Sequence, residues 1–281
     1  MPTITTILSE QGHSAKIIKS LLQTGKVFLQ GMPTADGRRQ AKVSEIEVRQ
    51  NAPRLKPGRD PVILHRDEDF VVVYKPAGLL SVRAAGRHHD RNMMGFVYKI
   101  CGEAYPVHRL DEDTSGLMLV ALTEFGQQSL KTQLEERTVS RRYWALISGH
   151  WTKKKTIDNI LHRDRGDGLR GTREKAADKG QRAITHVQPL EKLSGATMVQ
   201  CILETGRTHQ IRIHLSESKH PVLGDTLYGS PRLKERAPRL ALHAYSLSFQ
   251  HPRTGEKKLF RIPLADDLEK LRRTLAHDYK S

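Results

Sequence analysis

The 281-residue sequence predicts an α+β protein in two parts: a small helix-and-strand unit over about residues 1–60 and a larger domain over 61–281. Two observations predict this. Asn51 to Pro61 carries Pro53, Pro57, Gly58 and Pro61, a linker composition. Beyond it, short apolar runs and helical stripes alternate without a regular βαβ rhythm, which favours a mixed sheet.

In the first unit, Ser14 is placed to cap a helix whose apolar face is Ile17, Ile18, Leu21 and Leu22, and Gly25 is placed to stop it. Val27 and Leu29 read as a strand before a bend at Gly31. Lys16, Lys19, Lys26, Arg38, Arg39 and Lys42 ride on this unit, whose first 60 residues hold ten basic and five acidic side chains.

In the larger part, Phe70 to Tyr74 is a continuous apolar run ended by Lys75–Pro76, as a buried strand would be. Met94, Val97, Tyr98 and Cys101 recur at helical spacing. Leu117 to Leu122 reads as a second buried strand, and Phe125, Leu130 and Leu134 as a helix. Tyr143 to Ile147, Met198 to Leu203 and Leu240 to Phe249 read as further strands, the last closed at His251–Pro252. Residues 151–182 are polar, with ten basic and five acidic side chains, and are expected to contain a flexible loop.

Bulk composition narrows function. Basic residues number 47 against 31 acidic, for a net charge of +16. Such an excess favours polyanionic partners, nucleic acid first. Cys101 and Cys201 form no Cys-x-x-Cys pair, so neither a zinc knuckle nor a disulfide framework is implied, and two lone thiols suit a reducing, cytoplasmic compartment. No run approaches the ~18 apolar residues of a membrane helix, and Met1 to Gly25, with Glu10, Lys16 and Lys19, does not read as a signal peptide. Gly166 and Gly171 have phosphate-loop spacing, but Thr172 stands where a lysine is required.

Two stretches carry the chemistry. His108-Arg109-Leu110-Asp111-Glu112-Asp113-Thr114-Ser115-Gly116 lies just before the strand at 117–122. It reads either as a polar turn or as a carboxylate at a strand mouth beside Arg109. In Thr205 to Leu215, a helix starting at Thr208 would carry His209 and Arg212 on one side and Ile211 and Leu215 on the other. Such an arginine can pair bidentately with a carboxylate, or lie solvated on a surface helix. His209 and His214 are five apart, not the four of a helical zinc pair, and no metal site is expected.

Together these stretches resemble the RluA-type family of RNA pseudouridine synthases. The family's His-Arg-Leu-Asp with Thr-Ser-Gly after two residues is His108–Asp111 and Thr114–Gly116. Its Gly-Arg-Thr-His-Gln-Ile-Arg is Gly206–Arg212, and its His-Pro-Val-Leu-Gly-Asp with Tyr-Gly soon after is His220–Asp225 and Tyr228–Gly229. Lys75–Gly78 and Leu240–Ala244 match in order as well, so the resemblance spans roughly residues 61–263. Separately, Ser14, Lys19, Leu22, Gly25, Val27 and Gly31 resemble a small RNA-binding domain first seen in a ribosomal protein, with Ala15 and Gln30 in place of its usual Arg and Asn.

The resemblance implies a catalytic domain on a mostly antiparallel sheet crossed by a central cleft, with a small N-terminal α/β RNA-binding domain. It implies uridine isomerisation in RNA: the base leaves its nitrogen linkage, turns and rejoins through ring carbon five. No cofactor is expected for a reaction without redox change. Asp111 is the implied nucleophile, attack on ribose or base being left open. Arg212 is implied to pair with it, Tyr143 to line the pocket against the base, and Arg109 to fill the space a flipped base vacates. Arg207, Lys16 and Lys19 are expected on phosphates. Ribosomal RNA is favoured over transfer RNA, and a monomer is the default. Two other readings compete: a non-catalytic RNA-binding or assembly protein, and a DNA-acting or nucleotide-hydrolysing enzyme, for which Glu112–Asp113 would offer the clustered carboxylates of a metal-dependent nuclease.

Overall fold

The computed structural model describes residues 2–23, 26–29, 32–33, 40–49, 61–83, 91–173, 179–234 and 236–280. Gly25, Gly31, Arg38, Arg39 and the linker over 51–60 lie outside the described residues.

The N-terminal unit opens on a helix the sequence reading did not anticipate, α1 (Ile4–Glu10), capped by Thr3, whose Oγ1 accepts from Thr6 N–H at 3.1 Å. Helix α2 (Ala15–Gln23) follows, with Ser14 Oγ accepting from Ile17 N–H at 3.4 Å. Strands β1 (Val27–Leu29), β2 (Met32–Pro33) and β3 (Ile46–Val48) pair antiparallel in the order β2-β1-β3. Ile4, Ile7, Leu8, Ile18, Leu21, Leu22, Val27 and Leu29 form a separate core. Ile17, expected on the buried face, is 49% exposed: Ile18, Leu21 and Leu22 already complete an i, i+3, i+4 stripe.

The large sheet begins with β4 (Val62–Arg66) and β5 (Phe70–Lys75). Helix α3 (Met93–Cys101) leads to β6 (Tyr105–Pro106), β7 (Ser115–Ala121) and α4 (Glu124–Glu135). Strands β8 (Ser140–Ser148), β9 (Lys155–Leu161), β10 (Gln181–Leu193) and β11 (Ala196–Leu203) form the next run. Helices α5 (Gln210–Glu217) and α6 (Pro231–Lys234), strands β12 (Leu242–Gln250) and β13 (Lys257–Arg261), and helix α7 (Asp266–Lys280) complete the chain. The strand order is β4-β5-β7-β12-β8-β11-β10-β9, with β13 added to β12 and β6 to β7. Among the described residues, the strands pair antiparallel except where β12 meets β7. The mixed α+β, mostly antiparallel sheet expected from the sequence is therefore the fold.

Both faces of the sheet centre are buried. Val71, Val73, Met118 and Val120 enter one core, with Met93, Ile211 and Leu268 from the helices. Their neighbours Phe70, Val72, Leu117 and Leu119 enter the other, with Leu130. That two-sided burial is why β5 and β7 read as unbroken apolar runs. In α3 the inward residues are Met93 and Val97, while Tyr98, expected inside, is 62% exposed. Asn92 caps the helix, its Oδ1 accepting from Gly95 N–H at 2.9 Å, and Met94 and Cys101 of the expected stripe pack against the edge of the core. Within 151–182, where a loop was expected, β9 pairs with β10; Ile157 and Leu161 face inward while Asp158 and Ile160 stay exposed, the alternation of a one-sided strand.

The parallel seam matters most for function. His243 lies opposite Ser115, and Ala244 opposite Gly116. Gly116 has φ +125°, and a Cβ there would collide with the Ala244 backbone. Glycine at 116 is thus required for β7 and β12 to meet. Ser115 Oγ shares a hydrogen bond of 2.8 Å with His243 Nδ1, and His243 Nε2 lies 3.0 Å from the Pro263 carbonyl.

Burial holds His243 and His108 neutral, each with its pKa pushed down to about 3, and takes His214 to about 4. Each binds its proton more readily when the chain is unfolded, where a histidine titrates near 6.5. The stability they favour is fully present above pH 6.5 and is lost as pH falls toward 3–4. Each should remove about 1.4 kcal/mol per pH unit in that window. Urea unfolding at pH 7 and pH 5 is expected to show a steep loss, which His243→Gln should flatten.

Candidate active site

The loop from His108 to Thr114 connects β6 to β7 and is fastened along its length. His108 Nε2 accepts from Leu119 N–H at 3.0 Å. Ser81 Oγ accepts from Leu110 N–H at 2.9 Å and donates to the Leu110 carbonyl at 2.6 Å. Thr114 N–H closes a turn on the Asp111 carbonyl at 3.1 Å, and Gly78 N–H donates to the Glu112 carbonyl at 3.0 Å.

Beneath the loop lies Lys75, fully buried. Its Nζ donates to the carbonyls of Pro76, Leu79 and Glu112 at 2.7–2.9 Å. An ammonium has three hydrogens, and all three are used. Burial pulls its pKa down to about 7, while the carboxylates of Asp113, Asp111 and Glu112 hold the charge in place. The Lys75–Gly78 motif is therefore the underside of the Asp111 loop.

The other wall is the loop before α5. Gln210 is 2% exposed and staples it: Gln210 Oε1 accepts from Thr205 Oγ1 and from Arg207 N–H, while Nε2 donates to the Ile184 carbonyl and to Thr185 Oγ1. The helix starts at Gln210, two residues later than expected, because His209 takes a left-handed conformation with φ +58°. Such strain on a residue with a Cβ costs about 1–3 kcal/mol and clusters at functional sites.

These walls bring Asp111 and Arg212 together. Arg212 Nη1 lies 3.6 Å from Asp111 Oδ2, and His209 Nε2 lies 3.9 Å from Asp111 Oδ1. The bidentate partner of Arg212 is a different acid: Nε and Nη2 donate to Asp225 at 2.8 and 2.7 Å. Asp225 is fully buried, and its Oδ1 also accepts from the backbone of Leu227 and Tyr228. Burial opposes both charges, but each holds the other ionised, so the Asp225 pKa is lowered and the Arg212 pKa raised, with Asp111 adding to the latter. Arg212 is thus clamped from behind with one edge toward Asp111. Tyr228 covers the clamp, its ring 5.3 Å from the guanidinium and its hydroxyl 3.0 Å from His209 Nδ1.

Tyr143 stands on β8, 6% exposed, its phenol pushed up to about 12 chiefly by burial. The next residue, Trp144, points the other way and stacks on Tyr245 at 3.9 Å. Arg109 and Arg207 are exposed at the rim. Asp111, Tyr143, Arg109, Arg207 and Arg212 all line one cavity of about 480 Å³, a size that suits a nucleotide. Lys16 and Lys19 are exposed on α2, in the N-terminal unit, and do not line it. No cluster of three or more potential metal ligands occurs among the described residues.

Residues 69–217 match the family model described as RNA pseudouridylate synthase. The chain belongs to the RNA pseudouridylate synthase family. It is 42% identical over 222 residues to the ribosomal large subunit pseudouridine synthase D of Neisseria meningitidis serogroup A, covering 73% of this chain and 59% of that relative's length. It is 34% identical over 279 residues to an RNA pseudouridine synthase of Bacillus subtilis, YlyB, covering 94% and 90% respectively. The structure of human RNA pseudouridylate synthase domain containing 1 superposes with a TM-score of 0.62 at 26% identity, over 77% of this chain and 95% of that one.

The site holds residues to which sequence reasoning gave no role. Asp225 and Tyr228 stood in quoted motifs, and Lys75 in another, but a spacing of 13 residues did not reveal that Asp225 clamps Arg212. For His209 the sequence pattern gives a shared helix side with Arg212 but no role toward Asp111. Arg141, two residues before Tyr143 on β8, shares the Tyr143 face by strand alternation, the signal by which the sequence could have marked it.

Proposed function

We propose that this chain isomerises uridine to pseudouridine in RNA, with large-subunit ribosomal RNA as the favoured substrate. The carrying observation is that Asp111 and Arg212, 101 residues apart, lie 3.6 Å apart at the floor of one cavity. Asp111 is the nucleophile, and Arg212, immobilised by Asp225, steadies its carboxylate. Tyr143 packs against the target base as a protonated phenol. Arg109, exposed at the rim, enters the space the flipped uridine leaves, its planar guanidinium standing in for the lost stacking. The names of the relatives support the ribosomal preference.

Lys16 and Lys19 on α2 and Arg207 at the rim hold phosphates, and the N-terminal unit serves as an RNA-binding domain. The unpaired thiols of Cys101 and Cys201 suit the cytoplasm as the site of action. The test is incubation with an unmodified large-subunit ribosomal RNA transcript and quantification of pseudouridine in its digest. Product formed without added cofactor is expected; no product would overturn the proposal. Binding to the same transcript should weaken steeply between 50 and 200 mM salt, by about 10³-fold if six or more phosphates are engaged. A salt-independent affinity would contradict phosphate docking.

A further inference from the structure

Among the described residues, one cation in the cavity wall has neither a hydrogen bond nor an ion pair to a carboxylate. Arg141 on β8 is 8% exposed and lines the same cavity as Asp111 and Tyr143. Its Nε is buried without a hydrogen-bond partner. The other arginines of the wall are engaged or solvated: Arg212 holds Asp225, Arg137 lies 3.3 Å from Glu204, Arg207 Nε donates to the Arg182 carbonyl, and Arg109 is exposed.

Burial works against the charge of Arg141; among the described residues Tyr143 acts in its favour and no carboxylate does. An arginine keeps its proton nevertheless. An uncompensated buried charge is costly, and neutral acceptors do not offset it. The space around it is also built. Gly206 approaches the guanidinium so closely that a Cβ there would lie 2.5 Å from Arg141 Nη1. Nearby in the same wall, Thr114 Oγ1 is a second buried polar atom without a partner.

We infer that Arg141 is the seat for a phosphodiester of the target nucleotide, held by the guanidinium fork inside the cavity rather than at its rim. The inference rests on the RNA-isomerase reading for the identity of the ligand. A phosphodiester presents two non-bridging oxygens that match the fork and supplies the missing negative charge. Placement agrees as well: Arg141 and Tyr143 are two residues apart on one strand face, about 6.6 Å, close to the reach from a base to its own phosphate. A base packed on Tyr143 would bring its backbone to Arg141.

The test uses two RNA nonamers with a single central uridine, identical except that the two linkages flanking it are phosphodiesters in one and neutral methylphosphonates in the other. The wild-type protein is expected to bind the first about tenfold or more tightly. Arg141→Met, which keeps the volume and removes the charge, should bind both equally and weakly. Its thermal midpoint should not fall, since removing an unpaired buried charge relieves a cost. If the methionine variant does not fold, Arg141→Gln carries the same comparison. Wild-type protein that does not discriminate, or a neutral variant that still does, would overturn the inference. Pseudouridine formation by the wild type is read in a separate assay, so failure of the isomerase reading would be seen independently.

Discussion

Asp111→Asn is expected to abolish uridine conversion, by roughly 10⁴-fold or more, while leaving RNA affinity within about twofold. The amide matches the carboxylate in shape, so the loop should keep its form. None of the loop's fastenings uses the Asp111 side chain: they run through His108, the backbone of Leu110 and Glu112, and Lys75. What is lost is the charge facing Arg212 and the attacking oxygen. Initial rates on the ribosomal transcript, with binding measured in parallel, separate the two effects. Loss of affinity equal to loss of rate would instead give Asp111 a role in docking.

The second large effect is expected at Asp225, which lies behind the site. Asp225→Asn removes the charge that anchors Arg212 and leaves a buried guanidinium with only Asp111 to approach. Breaking a buried pair from one side costs about 3–5 kcal/mol, so the unfolding midpoint in urea should drop markedly. Activity should fall by about 100-fold as Arg212 shifts toward Asp111, since displacements of an ångström at a reacting group have that consequence. A compensating recovery on Arg212→Lys is not expected, because an ammonium cannot present the two-pronged edge Asp225 accepts. Unchanged stability and rate in Asp225→Asn would mean that the 2.7 and 2.8 Å bonds are incidental.

The most legible strands are those buried on both faces. Phe70–Lys75 and Ser115–Ala121 contribute alternate residues to two cores and so appear as continuous apolar runs. Less legible were β9, whose one-sided burial leaves polar residues in half its positions, and β13, where no residue is fully buried. The seam between β7 and β12 depends on the missing side chain of Gly116 meeting Ala244, and nothing local in the sequence announces a partner 128 residues away. The candidate site was legible through its motifs, which carry Asp111 and Arg212, and through the resemblance they establish, which implied Tyr143. What spacing could not convey was the division of labour around Arg212. A bidentate arginine was anticipated, but its partner is Asp225, with Asp111 at the free edge. Lys75, placed under the Asp111 loop, is likewise a tertiary fact, since two of its acceptors lie within four residues and the third 37 away.

The most direct measurement is a transcriptome-wide map of pseudouridine in cells lacking this chain and in the same cells supplied with either wild-type protein or Asp111→Asn. Discrete uridines in large-subunit ribosomal RNA should lose their modification on deletion, regain it with the wild type, and stay unmodified with the asparagine variant. Identical maps in all three strains would contradict an RNA isomerase built on Asp111 and Arg212.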